Sequence, residues 1–145
     1  MLAYVDGFLA SDFSAIYVDD YMMSTYSERY RFTLAHEIGH RVLHADVYAE
    51  KRMSSIEEYR AFLAALPTQS LDAWEADANN FAGCVLMPPK AIEAAYSTQV
   101  KHAAGLGAGV DAPTFNSYAA EPLSKQFSVS AKAVEIHLAR LRLKP

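Results

Sequence analysis

The apolar positions change their period once along this chain, close to residue 27. Before that point, LAYVD (2–6) and AIYVDD (15–20) mix β-branched and aromatic residues, and the intervening GFLASDFS is rich in turn formers. That pattern predicts an N-terminal β-hairpin. From Ser27 the spacing turns helical: Phe32, Ala35, Gly39, Val42 and Leu43 fall on or near one side, and Ser24 or Ser27 can act as N-cap. HADVYAEKRM (44–53) reads as a loop. SSIEEYRAFLAAL (54–66) then sets Ser55 and Glu58 at capping-box spacing, so a short helix opens there.

LPTQS breaks that helix, and Ser70 can cap the next one, LDAWEADANNFAGCVLM (71–87). Pro88 ends it, while Pro89 suits the first turn of a following helix, KAIEAAYSTQVKHAA. GLGAGVDAPTFN (105–116) is the Gly/Pro-rich connector. After it come EPLSKQF, a short SVS turn and AKAVEIHLARLRL, with Ser130 as cap and Phe127, Val129, Val134, Ile136 and Leu138 as a small core. Two strands followed mainly by helices predict an α+β fold, with the hairpin packed on the first long helix. The natural division is a main part over 1–104 and a connector with a helical tail over 105–145.

Composition narrows the setting. The chain has 145 residues, 52% of them hydrophobic and 21% charged, and a formal net charge of -4. Such a balance gives no bulk attraction to nucleic acid or anionic membrane. No apolar run approaches the ~20 residues of a membrane span, and MLAYVDGFLASDF lacks the basic start of a signal peptide. Cys84 is the single cysteine, which rules out an internal disulfide, makes the cytoplasm the expected compartment and reads as a core residue. The tail from Glu121 holds Lys125, Lys132, Arg140, Arg142 and Lys144 against Glu121 and Glu135; this faint basic bias does not predict direct nucleic-acid binding.

The chemistry sits in RFTLAHEIGHRVLH (31–44). Residues four apart on a helix lie about 40° apart around the axis and one turn along it. His36 and His40 therefore point the same way and can share one tetrahedral Zn²⁺, while Glu37 beside them can move a proton to or from water. Gly39 hints at a close neighbour, since glycine costs a helix about 1 kcal/mol against alanine. The third ligand is open among His44, Asp46, Glu50, Glu57, Glu58, Glu75 and Asp77. Two turns separate His44 from His36, about 12 Å along the axis, so it suits a supporting or capping role. Asp46 has the spacing of a longer zinc motif that needs glycine where Leu43 stands. Glu75 is favoured, because Asn79 lies one turn later on the same face and can orient a histidine. Asp77 points away from both. Tyr26, Tyr30 and His44 are candidates for a donor to a developing oxyanion, and Ala15 to Asp19 is the edge along which an extended substrate could pair. His102 and His137 lack partners at ligand spacing and read as surface or capping residues.

RFTLAHEIGHRVLH together with the later EADANNFAGCVLMP resembles the ImmA/IrrE family of bacterial and phage metallopeptidases. The preceding YVDGF…AIYVDD is also similar, so the likeness spans roughly residues 3 to 100, and LSKQFSVSAKAVEIHLARL is more loosely similar to the family's helix-turn-helix-like unit. The resemblance implies a zincin-like fold, with His36, His40 and Glu75 as zinc ligands, Glu37 as the catalytic glutamate, and Asn79 as the neighbouring asparagine. Asp77 stands where a second glutamate is usual. A helix and a strand usually precede the hairpin in relatives, and SSIEEYRAFLAALP is longer than their common loop. The resemblance also implies a substrate class: helix-turn-helix repressors, cut in stress response or mobile-element regulation. A non-catalytic module that grips such a repressor, as in a toxin–antitoxin pair, is the competing expectation.

Overall fold

Gly7 explains why the hairpin lies further along the chain than the turn formers suggest. A Cβ there would sit 2.8 Å from the Tyr17 carbonyl oxygen and 2.9 Å from Thr33 Cγ2. The glycine is thus needed for close approach inside a sheet, not for a turn. The computed structural model describes residues 7–10, 12–50, 55–105 and 111–145. Strand β1 (Gly7–Leu9) pairs antiparallel with β2 (Ile16–Val18), in the register Gly7–Val18, Phe8–Tyr17 and Leu9–Ile16. The first strand expected over 2–6 lies outside the described residues, and Gly7–Leu9, read as turn, is strand. The turn itself is held by Ser14, whose backbone N–H and hydroxyl both donate to Asp12 Oδ1.

Helix α1 (Asp20–Thr25) leads into α2 (Ser27–Leu43), the long helix predicted from Ser27. Tyr26 takes the N-cap position without a side-chain cap, so neither Ser24 nor Ser27 serves. The segment read as a loop contains α3 (Ala45–Glu50). A single helical turn or two shows no apolar period, yet Asp46 in its first turn complements the positive end of the helix dipole. Helix α4 (Ile56–Ala65) starts as expected, with the Ser55 hydroxyl accepting from the Glu58 N–H at 3.2 Å. Its Tyr59 is buried against Phe8, which also stacks on Tyr17 with ring centroids 4.6 Å apart. This small cluster, completed by Leu9 and flanked by Ile56 and Phe62, anchors the hairpin.

Helix α5 (Thr68–Leu86) begins directly after Pro67, ahead of the Ser70 cap expected for it. Helix α6 (Pro89–Gly105) opens on its proline, as predicted. Part of the supposed connector is helix: Asp111 caps α7 (Ala112–Phe127) by accepting from the Thr114 N–H at 3.0 Å, and Pro113 occupies its first turn. Pro122 lies inside α7 without ending it. Ser128, in the left-handed region at φ 52°, closes α7, and Ser130 caps α8 (Ala131–Leu141) through the Ala133 N–H, as predicted. Residues 106–110, which adjoin the expected boundary at 104/105, lie outside the described residues.

The chain forms two packed units, one up to Ala82 and one from Gly83, with the division inside α5. The second has the larger apolar core, in which Met87, Ile92, Phe115, Leu123, Val134 and Leu138 are fully enclosed. Ile136, expected in that core, is half exposed. A small sheet with mostly helices makes this an α+β fold. No helix among the described residues is long and apolar enough to cross a membrane.

Candidate metal centre

The inward face of α2 is polar where a helix of this burial would ordinarily be apolar. Thr33, Glu37, Gly39 and His40 are all buried on it. His36 and His40 bring their Nε2 atoms within 3.0 Å of each other, rings nearly perpendicular at 82°. Glu75 of α5 meets both: Oε2 lies 3.2 Å from His36 Nε2, and Oε1 lies 3.6 Å from His40 Nε2. Gly39 permits the approach. A Cβ on it would sit 3.2 Å from Ala78 Cα, the Ala78 carbonyl oxygen and Phe81 Cβ, so a side chain here would crowd α5.

These three residues are the group of possible metal ligands among the described residues, their ligand atoms all within 4.8 Å of one another. Four ligands at about 2.0–2.1 Å in a tetrahedron stand roughly 3.3 Å apart, and the observed separations bracket that spacing. The outer nitrogens fit as well. His36 Nδ1 lies 3.1 Å from Asn79 Oδ1, an oxygen that can only accept, so Nδ1–H donates to it, the arrangement in which a metal would bind through Nε2.

Charge follows the same geometry. Burial alone would raise the Glu75 carboxyl, but hydrogen bonds and charge from His36 and His40 outweigh it and hold the pKa down at about 2. His36 is raised in turn, because Glu75 and Glu37 overcome the burial that disfavours its cation. Glu37 is only 3% exposed, and burial lifts its carboxyl above the usual range against the pull of His36 and His40. The Leu9 backbone N–H donates to it. Its Oε2 has no hydrogen-bond partner among the described residues, and a buried carboxylate oxygen without one is costly unless something charged comes to it. The strand whose backbone reaches Glu37 is thus β1.

The other expected positions sort cleanly. His44 is the C-cap residue of α2, with Nδ1 3.1 Å from His40 Nδ1. Its ring stacks on Trp74, with centroids 4.9 Å apart and planes 14° apart. Burial and the neighbouring His40 lower its pKa. Asp77 turns away from the cluster, as its place on the helix requires, and faces His44 Nε2 at 3.8 Å. Asp46, Glu57 and Glu58 are exposed and lie outside the group. Tyr26 is half exposed and packs edge-on against Tyr21. His137 is not a surface residue: it is buried in the second unit and its Nε2–H donates to the Met87 carbonyl at 3.0 Å. Sequence reasoning missed Leu9 and Trp74. Leu9 acts through its main chain, which no side-chain pattern reveals, whereas Trp74 lies one residue before Glu75 and could have been found there.

No curated protein and no solved structure matches this chain. The profile of the Peptidase_M78 family, described as the IrrE N-terminal-like domain, matches residues 16–139. That span takes in α2 with its histidines, the Glu75 helix and most of the tail, so the chain belongs to this metallopeptidase family.

Proposed function

We propose that the chain is a zinc-dependent endopeptidase whose substrate is a helix-turn-helix repressor, with His36, His40 and Glu75 as metal ligands and Glu37 as general base. The observation that carries this reading is the convergence of two histidine ring nitrogens and a carboxylate on one point, beside a buried glutamate with an unpartnered oxygen. His36, His40 and Glu75 would hold a zinc ion there, which would supply Lewis acidity toward a carbonyl oxygen and lower the pKa of water to about 7. Glu37 accepts the proton of the attacking water as the new C–O bond forms, and returns it to the amine nitrogen as the C–N bond breaks. Burial raises its pKa, and a carboxyl shifted in that direction is a better base when ionised. Asn79 holds the His36 ring by its outer nitrogen. The repressor as substrate, and the cytoplasm as compartment, rest on the likeness to ImmA/IrrE peptidases and on the lone cysteine.

Metal analysis of the purified chain, with cleavage assays on candidate repressors, tests the reading. Glu37→Gln should keep metal at one ion per chain and lower cleavage by a factor on the order of 10²–10⁴. Cleavage that persists undiminished in that variant defeats it. The enclosure of Glu37 beneath Leu9 favours one second reading, a metal-bearing module that grips its repressor without cutting it. A stoichiometric complex that forms equally well with Glu37→Gln and yields no fragments supports that alternative.

A further inference from the structure

We infer that His44, clamped between Trp74 and Asp77, is a positioning residue that decides which nitrogen of His40 is left to bind metal. The inference rests on the metal reading above and concerns how this chain prepares the site. His40 is 1% exposed and its two ring nitrogens face different partners. Nε2 faces His36 and Glu75; Nδ1 faces His44 Nδ1 at 3.1 Å. A neutral imidazole has one proton to place. Binding through Nε2 puts that proton on Nδ1, where it needs an acceptor, and the atom opposite is a nitrogen that accepts only if its own proton is elsewhere.

His44 must therefore be protonated on Nε2. That is the atom turned toward the Asp77 carboxylate, at 3.8 Å, longer than a direct hydrogen bond but close enough to favour an N–H on that side. Trp74 and Asp77 divide the task. Stacking on the indole fixes the plane of the His44 ring, yet a half-turn flip within that plane would leave the stacking intact and present carbon to His40. Asp77 favours the flip that keeps Nε2 outward. With the opposite tautomer, His44 would donate to His40 Nδ1, the His40 proton would move to Nε2, and the Glu75 oxygen at 3.6 Å would take it in place of a metal. Both ligand histidines are then oriented from α5, His36 directly by Asn79 and His40 through His44 by Trp74 and Asp77. Such outer partners of a metal-binding histidine set its tautomer and its basicity.

The test is zinc affinity by chelator competition on the full chain, for wild type, His44→Ala and His44→Asn, together with ¹⁵N NMR of the His44 ring in zinc-loaded wild type. His44→Ala should bind zinc about 10–100-fold more weakly. His44→Asn, whose Oδ1 replaces Nδ1 as acceptor, should recover most of that loss, and the NMR shifts should place the His44 proton on Nε2. Equal affinity in wild type and His44→Ala overturns the inference and leaves the metal site standing. An Asn variant as weak as the Ala variant, or a His44 proton found on Nδ1, overturns it too, and the NMR result stands even if His44→Ala does not fold. Wild type that takes up no zinc defeats the metal reading itself, and this inference with it.

Discussion

His40 in α2 and His137 in α8 are equally hidden, at 1% and 3% exposure, yet one belongs to a centre and the other to a core. Around the His40 ring, three titratable side chains stand at hydrogen-bonding or ionic distance: His36, His44 and Glu75. Around His137 the partner is a backbone carbonyl, that of Met87, and Gly83 lies close against the ring. Burial of a histidine therefore says little by itself. What separates the two is whether the remaining nitrogen faces a convergent set of donors or an already satisfied main chain.

The sharpest break of this comparison is Glu75→Ala. Structural zinc sites contribute roughly 10–16 kcal/mol, so removing one of three protein ligands should weaken zinc binding on the order of a thousandfold. Metal analysis after dialysis against a weak chelator reads the loss directly. His137 is held by the Met87 carbonyl, so the tail helices should keep their hydrogen-exchange protection in the metal-free wild type and the variant alike.

Leu123→Ala is the converse, aimed at the second unit. Leu123 is fully buried in the core that encloses Phe115 and Val134. Truncating it should cost about 2–5 kcal/mol in urea unfolding, from lost burial and the cavity left behind. Zinc affinity measured on the folded variant should stay at the wild-type value. A parallel loss of affinity would mean the ligand geometry draws on that core, and the contrast would fail.

How much of this was legible beforehand depends on whether side chains or main chain carried the signal. The HEIGH helix, the Ser55 and Ser130 caps and the proline opening of α6 were all readable, because each rests on side chains at fixed spacing. Glu75 was also readable as a candidate, through its partnership with Asn79 one turn on. The hairpin position was not: Gly7 is a packing glycine, and composition cannot tell it from a turn glycine. Nor was α7, because Asp111 and Pro113 were read as connector chemistry although they are also a helix start. The role of the Leu9 N–H beneath Glu37 leaves no trace in side-chain identity.

Gly83→Ala sharpens the contrast from the His137 side. A Cβ at Gly83 would lie 2.8 Å from His137 Nδ1, so the ring must move and strain its bond to Met87. Overpacking costs roughly 1–3 kcal/mol, offset by about 1 kcal/mol from replacing a helical glycine. A net loss of up to about 2 kcal/mol in urea unfolding is expected. A gain in stability would show that His137 tolerates displacement and is not fixed by its carbonyl partner.

The smallest expected effect is one of pH. Burial lowers the His137 pKa from its ordinary 6.5, against the Met87 carbonyl, which favours the cation; Arg140 nearby lowers it further. A lowered folded-state pKa means the unfolded chain binds the proton more readily. The contribution is thus fully present above about pH 6.5 and is lost as pH falls through the folded value. His44, also lowered, adds to the trend in the same window, and His36, raised, opposes it. Comparing wild type with His137→Gln isolates one term, since the Gln amide can still donate to the Met87 carbonyl but does not titrate. Urea unfolding of the metal-free full chain between about pH 8 and pH 5 should show a shallower decline for the variant. Identical slopes would mean that His137 is protonated as easily in the fold as outside it, and that the two buried histidines differ less than their surroundings imply.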